Sequence, residues 1–452
     1  MVSRSNAVSV VMGAWLMASA TTVLALPSSF PTGTTYYDPK RAYNGFVLFP
    51  GGDRKTHLID MNGNEVHRWD YESFPPIPLS TEQAGGEQGH LLVQSARVDK
   101  LPEHASPGNG LTNASVAEVD WDGDVVWQWG SQQHPVYQHH DMRRLPNGNN
   151  LVMTAETREL NGFDYPIIDN AIEEVDQQGQ VVWAWKAGDH LDEMGFSDAG
   201  LRALKDSGDP DFLHLNTAVP LGPNRWYDAG DKRFAPDNIL VNSRNANITL
   251  IVDRQSGEIV WRLGPDLPAL SLNGKLGRPV DQTVGAHDVH LIPEGLPGAG
   301  NLLIFDNQGN AGFPPSKQGF FSSSRVIEVN PSSGKIVWQY TGSMSGRSPY
   351  TFYSSFISSA RRLPNGNTLI DEGQDGRLFQ VTPAGEIVWE YVSPFFGKSM
   401  PGDDYVTNQV YRAQLVDYDW APKGTPHTEN AVMPDCDLYV AAPGCHPGVP
   451  DQ

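Results

Sequence analysis

The chain has 452 residues, of which 39% are hydrophobic and 19% are charged, so it is too long for one small domain and too apolar for a disordered chain. Its 45 Gly and 35 Pro make 80 of 452 residues, about 18%, which favours a turn-rich, all-β protein over a helical one. The 53 acidic and 32 basic residues give a net charge of −21, which argues against a nucleic-acid partner because phosphate binding needs a basic face.

The first 25 residues have the pattern of a secretory signal peptide. Arg4 supplies the positive start, residues 7–24 are mostly apolar, and Val23-Leu24-Ala25 fits the small-residue cleavage rule. We therefore predict cleavage after Ala25 and a mature protein that is periplasmic or secreted; an uncleaved membrane anchor is the alternative. No later stretch has the ~20 apolar residues that a bilayer span needs, so stable membrane insertion of the mature chain is not expected.

A short unit recurs six times within residues 26–420. Each copy has apolar residues, a polar turn with Gly, and an aromatic residue four positions after that Gly. The turn glycines are Gly63, Gly123, Gly179, Gly257, Gly334 and Gly385, and the positions four residues later hold His67, Trp127, Trp183, Trp261, Trp338 and Trp389. Alternation around a Gly turn indicates a β-hairpin, and a wide aromatic ring suits packing between neighbouring sheets.

A second pattern, strand, tight turn and strand, precedes the hairpins. Its clearest copies are RLPNGNNLVM (144–153) and RLPNGNTLI (362–370), and looser versions span residues 220–242 and 291–305. Together the two patterns supply four strands per repeat. Six such repeats predict an all-β, six-bladed β-propeller of four-stranded antiparallel blades over residues 26–420, with a solenoid as the structural alternative.

Two segments depart from the repeat. Residues 188–212 have helical periodicity through Met194, Leu201 and Leu204, so we predict one short helical insertion that covers a mouth of the channel. The loop-like tail, residues 421–452, contains the only two cysteines, Cys436 and Cys445. In an oxidising compartment these are expected to form one disulfide.

Three histidines occupy equivalent positions in successive repeats. Counting back six residues from the proline that ends each first strand gives His140, His214, His287 and, in the last repeat, Ser358. Because the innermost strands of a propeller line its channel, we predict that the three imidazoles converge there. The alternative is that each histidine has only a structural role in its own blade.

We call the four positions His140, His214, His287 and Ser358 the column. Polar residues flank it. Asp141, Asn216 and Asp288, with His139 and His290, are candidates to fix imidazole tautomers or to contact a substrate. On an adjoining strand Arg244 suits a planar anionic group.

The run HLNTAV (214–219), followed by NILVNSRNANITLIVDRQSGEIVWRLG (238–264), resembles bacterial aryl-sulfate sulfotransferases. GAHDVHLIPEG (285–295), LLIFDNQGN (302–310) and SRVIEVNPSSGKIVWQY (324–340) extend the resemblance over most of residues 40–420. The resemblance implies a periplasmic six-bladed propeller that moves a sulfuryl group from a phenolic sulfate to a phenol through a transiently sulfated histidine. In that family other histidines and an arginine bind the sulfuryl oxygens, and His214 and His287 match two of those histidines by position.

Two positions depart from the family pattern. Ser358 stands where the nucleophilic histidine is expected, and no arginine follows shortly after Asp306-Asn307-Gln308. Arg325 or Arg244 could take the place of that arginine in space.

These residues leave three hypotheses. In cofactor-free sulfuryl transfer on a small phenolic or aryl-sulfate substrate, His140 or His287 is the nucleophile, His214 and Arg244 hold the sulfate, and Tyr137 or Tyr353 assists the phenolic proton. In a metal-dependent oxidoreductase, lyase or hydrolase, His140, His214 and His287 bind Cu, Zn or Fe. In a non-catalytic propeller, the channel binds a ligand and leaves it unchanged. The oligomeric state has no signal in the sequence.

Overall fold

The computed structural model describes residues 31–97, 113–264, 283–309, 323–398 and 404–434. The predicted signal peptide, Cys436 and Cys445 lie outside the described residues. The described chain is an all-β propeller with few, short helices.

Twenty-five strands occur in the described residues. The first twelve are β1 (Gly33–Tyr37), β2 (Phe46–Pro50), β3 (Thr56–Ile59), β4 (Glu65–Trp69), β5 (Ile77–Pro78), β6 (Leu91–Arg97), β7 (Asn113–Val119), β8 (Val125–Gly130), β9 (Gln138–Arg144), β10 (Asn150–Arg158), β11 (Ile167–Val175) and β12 (Val181–Lys186). The remainder are β13 (Leu215–Pro220), β14 (Ile239–Ser243), β15 (Ile248–Val252), β16 (Ile259–Leu263), β17 (His287–Leu291), β18 (Leu302–Asp306), β19 (Arg325–Asn330), β20 (Lys335–Tyr340), β21 (Ser359–Arg362), β22 (Thr368–Glu372), β23 (Arg377–Val381), β24 (Ile387–Val392) and β25 (Gln414–Val416).

Strand pairing groups these strands into five antiparallel sheets. Three sheets have four strands, in the orders β25-β2-β3-β4, β13-β14-β15-β16 and β17-β18-β19-β20, and a fourth has five, β1-β24-β23-β22-β21. The fifth has eight strands, because β5–β8 and β9–β12 are joined through the pairing of Asn113 with Gln138. Five sheets do not by themselves show the predicted six blades, and that count stays a prediction.

The hydrophobic core is divided among the interfaces between successive sheets. Neighbouring residues on the second strand of each unit point to opposite faces, so one joins the interface before the sheet and the other the interface after it. The pairs are Leu48 and Phe49, Leu92 and Val93, Val152 and Met153, Leu240 and Val241, Ile304 and Phe305, and Leu369 and Ile370. Phe49 and Leu369 share a cluster, so the end of the chain packs against its beginning and the arrangement closes.

The predicted Gly-turn hairpins are confirmed. All six turn glycines have positive φ, from 65° at Gly334 to 88° at Gly385, a region that glycine enters without steric cost. The aromatic residues after them tie neighbouring sheets together, as predicted. The indole N–H groups of Trp127, Trp261, Trp338 and Trp389 donate to Gln177 O, Pro331 O, Pro383 O and Met61 O at 3.2, 3.1, 2.8 and 2.7 Å.

The predicted helical insertion contains a 3-10 turn, Ala187–His190, and helix α1, Asp198–Asp206. Met194 and Leu204 are buried in the cluster that also holds Trp185. The segment therefore packs between two units, and none of its residues lines the central cavity described below, so the prediction that it covers the channel mouth is not supported.

A second helix, α2 (Arg225–Asp228), was not predicted. Further 3-10 turns span Lys232–Phe234, Gly342–Ser345, Pro349–Thr351, Gly373–Asp375 and Tyr418–Trp420. Within the described ranges, no helix combines the length and apolar character needed to cross a membrane.

Candidate active site

The predicted column lies where the inner strands are bulged. The ladder shifts register in β9 between Gln138 and Met142, in β13 between Leu215 and Thr217, and in β17 between His287 and His290. Positive φ values accompany these positions: 52° at His140, 46° at His214, 53° at Asp288 and 89° at Ser358. Non-glycine residues adopt this conformation at a cost, and bulges next to functional sites re-aim side chains. The repeated strain thus marks one site built from several strands.

The three column histidines line one central cavity of about 290 Å³ together with Arg244. The rings of His140 and His214 meet edge to face with centroids 4.9 Å apart. The predicted convergence is therefore observed, and the cavity is close to the lower end of the size range of small-molecule sites.

The hydrogen bonds of His140 determine which of its ring nitrogens carries the proton. His139 Nε2 lies 3.2 Å from Thr154 O, which can only accept, so Nε2 of His139 is the donor. Burial lowers the pKa of His139 to about 4, so its ring is neutral near pH 7 and its Nδ1 accepts. The Nδ1 atoms of His139 and His140 lie 2.8 Å apart, so Nδ1 of His140 donates and its Nε2 keeps a lone pair.

The pKa of His140 supports the neutral form. Burial, together with the neighbouring His214 and His139 rings, lowers the pKa of His140 well below its usual range. No described residue forms a hydrogen bond with Nε2 of His140. A neutral imidazole with an unshared lone pair on the cavity is a nucleophile.

His214 is oriented by a carboxylate. Its Nδ1 lies 2.6 Å from Asp211 Oδ2, so Nδ1–H donates and Nε2 is the atom left for exchange of a proton.

Arg244 is one of three arginines among the described residues that line the cavity. Its backbone N–H donates to His214 O at 3.1 Å, and its Nη1 donates to Asn245 Oδ1 at 2.7 Å. Among the described residues no carboxylate forms a salt bridge with it. Burial lowers its pKa, yet a guanidinium stays charged in proteins, so the cavity wall carries a cation available to an anionic ligand.

His287 has both ring nitrogens occupied by the protein. Its Nδ1 lies 2.8 Å from Asn307 Oδ1 and 2.9 Å from Gly285 O, so Nδ1–H donates. Its Nε2 accepts the backbone N–H of Ile357 at 3.2 Å. The lone pair of His287 is therefore already used, unlike that of His140.

The lining charges differ in sign from the chain as a whole. Among the described lining residues, Arg54, Arg97, Arg244 and Lys398 are cationic and Glu72 is the one carboxylate. Arg54 and Arg97 share the single carboxylate Glu72, so the four cations exceed the one carboxylate by three charges, and Arg244 and Lys398 have no anionic partner among the described lining residues. Low-dielectric walls concentrate the field of such charges, and the cavity favours an anion although the chain has a net charge of −21.

Three predicted substrate contacts lie elsewhere. Asp141 and Asp288 are buried in ion pairs around Arg412, at 3.3 and 3.6 Å, and neither lines the cavity. Asn216 donates from Nδ2 to Ala286 O and accepts from Asn242, both at 2.8 Å. The hydrogen-bonding capacity of these three side chains is spent on connecting neighbouring strands.

Ser358, Tyr137 and Tyr353 also lie outside the cavity wall. Ser358 is buried, and its Oγ accepts the backbone N–H of Gly373 at 3.0 Å; the preceding residue, Ile357, lines the cavity in its place. The structure thus does not bring either tyrosine to the position predicted for a phenolic proton. Of the two arginines considered, Arg325 is paired with Asp306 at 2.7 Å.

Sequence reasoning missed three aromatic residues on the cavity, Phe74, Phe356 and Tyr411. Phe74 and Tyr411 stack with ring centroids 3.6 Å apart and lie 5.5 and 5.7 Å from the ring of His140. The hydroxyl of Tyr411 is buried without a hydrogen-bond partner. Phe74 and Tyr411 precede β5 and β25, short inner strands that lack the Pro-Asn-Gly pattern; the one available signal was that a propeller closes with a strand from the chain end.

The metal hypothesis requires three imidazole lone pairs directed at one point. His287 does not offer one, because its Nε2 accepts from Ile357. In the described part of the chain, no group of three or more His, Cys, Asp or Glu residues is arranged to hold a metal ion. The donor set therefore does not fit the predicted three-histidine Cu, Zn or Fe centre.

Comparisons with solved structures find distant similarity. A protein of unknown function from Bacteroides caccae is 13% identical, with 82% of this chain and 98% of that chain covered and a TM-score of 0.46. A periplasmic gluconolactonase from Pseudomonas aeruginosa is 11% identical (83% and 100% covered, TM-score 0.40). Virginiamycin B lyase from Staphylococcus aureus is 10% identical (87% and 99% covered, TM-score 0.37).

No curated protein matches the sequence significantly. A family model described as Arylsulfotransferase (ASST) matches residues 132–388, more than half of the chain and the region that contains His140, His214, His287 and Arg244. The chain therefore belongs to the arylsulfotransferase family.

Proposed function

We propose that this protein is an aryl-sulfate sulfotransferase whose nucleophile is Nε2 of His140. The observation that carries the proposal is the hydrogen-bond chain Thr154–His139–His140, which leaves a lone pair on the cavity at His140. Of the two predicted nucleophiles, His287 is disfavoured because its lone pair accepts from Ile357. No cofactor enters the reaction.

In the first half-reaction Nε2 of His140 attacks the sulfur of an aryl sulfate. The N–S bond forms, the S–O bond to the aryl group breaks, and the phenolate leaves with the electron pair and takes a proton from protonated His214. Arg244 stabilises the charge that spreads over the sulfuryl oxygens. Asp211 accepts Nδ1–H of His214 and so leaves Nε2 for the transfer.

The second half-reaction reverses these steps with a new phenol. Its oxygen attacks the sulfur, the N–S bond breaks, and the electron pair returns to Nε2 of His140. Neutral His214 takes the phenolic proton and regains its starting state, so protons and electrons balance over one turnover. The stacked rings of Phe74 and Tyr411 suit an aromatic substrate held beside His140.

Six blades and export complete the proposal. Six core clusters separate consecutive four-stranded units and include one between β5–β8 and β9–β12, which supports counting the eight-stranded sheet as two blades. The signal-like residues 1–25 support a periplasmic or secreted location.

The test is transfer from 4-nitrophenyl sulfate to a phenol by the purified mature chain. We expect ping-pong kinetics and, without acceptor, a sulfuryl group on the peptide that contains His140, detected by mass spectrometry. His140→Ala should abolish both, whereas His190→Ala, at a histidine packed on Trp185 away from the cavity, should change neither. Full transfer by His140→Ala, or aryl-sulfate binding without turnover in the unsubstituted chain, would contradict the proposal.

A further inference from the structure

The contact between His139 and His140 is unusual for two consecutive strand residues. Successive side chains of a regular strand point to opposite faces, so their ring nitrogens cannot meet. Here the bulge in β9 and the φ of 52° at His140 turn the rings toward each other. Their planes are perpendicular, their centroids are 5.0 Å apart, and the two Nδ1 atoms are within hydrogen-bond distance.

The other column positions have a positive φ or a register shift at or beside them, but not this contact. The residues that precede His214, His287 and Ser358 are Leu213, Ala286 and Ile357. None of these side chains can accept a hydrogen bond. His139 is thus the one member of this set that can act on the ring beside it.

We propose that His139 is a positioning residue that holds the proton of His140 on Nδ1 and so keeps the Nε2 lone pair directed at the cavity. The proposal rests on the proposed role of His140 as nucleophile. His139 is 2% exposed and its own orientation is set by Thr154 O, so the hydrogen-bond direction along this chain is unambiguous. In general, the partner of one imidazole nitrogen sets the state of the other.

His139 should also act on the sulfated intermediate. When Nε2 of His140 forms its bond to sulfur while Nδ1 keeps its proton, the ring becomes positively charged. The hydrogen bond from Nδ1–H to His139 is then charge-assisted and stronger than in the resting enzyme. An interaction that strengthens along the reaction lowers the barrier rather than the binding energy of the substrate.

The experiment compares two substitutions of His139. His139→Phe fills the space but accepts no hydrogen bond, whereas His139→Gln keeps an acceptor oxygen. His290→Phe is the matched control, since His290 is a buried strand histidine that does not line the cavity. Tautomers are determined by nitrogen-15 NMR of histidine-labelled protein, and kcat and KM are measured with 4-nitrophenyl sulfate and a phenol.

We expect Nδ1–H at His140 in the unsubstituted chain and in His139→Gln, and Nε2–H in His139→Phe. In His139→Phe kcat should fall by about 100-fold or more with little change in KM, as for other wrong-tautomer variants. His139→Gln should recover most of kcat, and His290→Phe should keep it.

Nε2–H at His140 in the unsubstituted chain, or undiminished kcat in folded His139→Phe, would overturn the proposal. A chain with the expected tautomers in all variants but no sulfuryl transfer would instead contradict the proposed function and support the hydrogen-bond arrangement.

Discussion

Among single residues, Arg412 supports the candidate site by holding together the inner strands that carry its histidines. Its guanidinium is buried, pairs with Asp141 and Asp288, and donates to Asn216 O at 2.6 Å. Asp141 and Asp288 each follow a column histidine in the chain. One side chain from the loop before β25 thus connects three inner strands.

Arg412→Met is expected to lower the free energy of unfolding by about 1–3 kcal/mol, because it removes the buried cation that Asp141 and Asp288 share and leaves each carboxylate with one arginine, Arg143 or Arg361. Urea unfolding followed by tryptophan fluorescence measures this. Arg41→Met is the control: its salt bridge with Glu386 is largely exposed, and such pairs contribute less than about 1 kcal/mol. Equal costs for the two substitutions would contradict the supporting role of Arg412.

Arg244 provides a second prediction at this scale. Arg244→Met should lower kcat/KM for aryl sulfates by about 10–100-fold, the effect of losing charge-assisted hydrogen bonds to an oxyanion. Arg244→Lys keeps the charge but not the planar pair of donors, so its kcat/KM should lie between those of Arg244→Met and the unsubstituted chain. Steady-state kinetics at constant salt distinguishes these outcomes; an unchanged kcat/KM in Arg244→Met would remove Arg244 from the site.

Among the secondary-structure elements, the repeated Gly-turn hairpins form the outer edges of the sheets and also contact the neighbouring sheets. Each aromatic residue after the Gly turn reaches a turn of the next unit, and Trp389 reaches Met61 O at 2.7 Å, which links the last sheet to the first. Each hairpin therefore also links its own sheet to the next sheet. The ring closes because the same contact recurs where the chain ends meet.

Trp389→Phe should destabilise the protein by about 1–3 kcal/mol, since Met61 O loses its short bond from the buried indole and keeps only the longer one from Thr34 Oγ1 at 3.4 Å. Trp127→Phe removes an equivalent bond to Gln177 O at a partly exposed site, where water can replace the donor, and should cost less. Thermal unfolding of the two variants compares them. A larger loss of stability for Trp127→Phe than for Trp389→Phe would contradict the expected contribution of the contact that links the last sheet to the first.

At the scale of the whole molecule, several buried histidines make stability depend on pH. Burial lowers the pKa of His139 to about 4 and of His290 to about 3, and it lowers the pKa of His140 and His287 well below their usual range. Unfolded histidines titrate near 6.5. Below that pH the unfolded chain binds more protons than the folded chain, so acid favours unfolding.

The stability that these histidines contribute should be complete above about pH 6.5 and should decline as the pH falls toward 4. At pH 5, His139 and His290 each contribute a loss of about 2 kcal/mol. Calorimetry between pH 8 and pH 5 measures the decline, and His290→Gln should reduce its slope. A melting temperature that stays constant over this range would contradict the neutral, buried state of these rings.

Much of the architecture could be predicted because its signals are local. The glycines that turn each hairpin need positive φ whatever surrounds them, and the aromatic residue four positions later must fall on the outer strand. The equal spacing of His140, His214 and His287 from a strand-ending proline likewise predicted that the three side chains meet, and all three line one cavity. These features follow from chain geometry over a few residues.

The tertiary structure decided what each ring can do. Whether a histidine presents a lone pair depends on groups distant in the chain, such as Ile357 for His287, and on the bulge that brings His139 to His140. Asp141 and Asp288 are buried in ion pairs with Arg412 and therefore have a structural role. Closure of the ring of sheets places Phe74 and Tyr411 on the cavity. Periodicity along a chain determines where a side chain lies, but its hydrogen-bond partners, and therefore its chemistry, come from segments that only folding brings together.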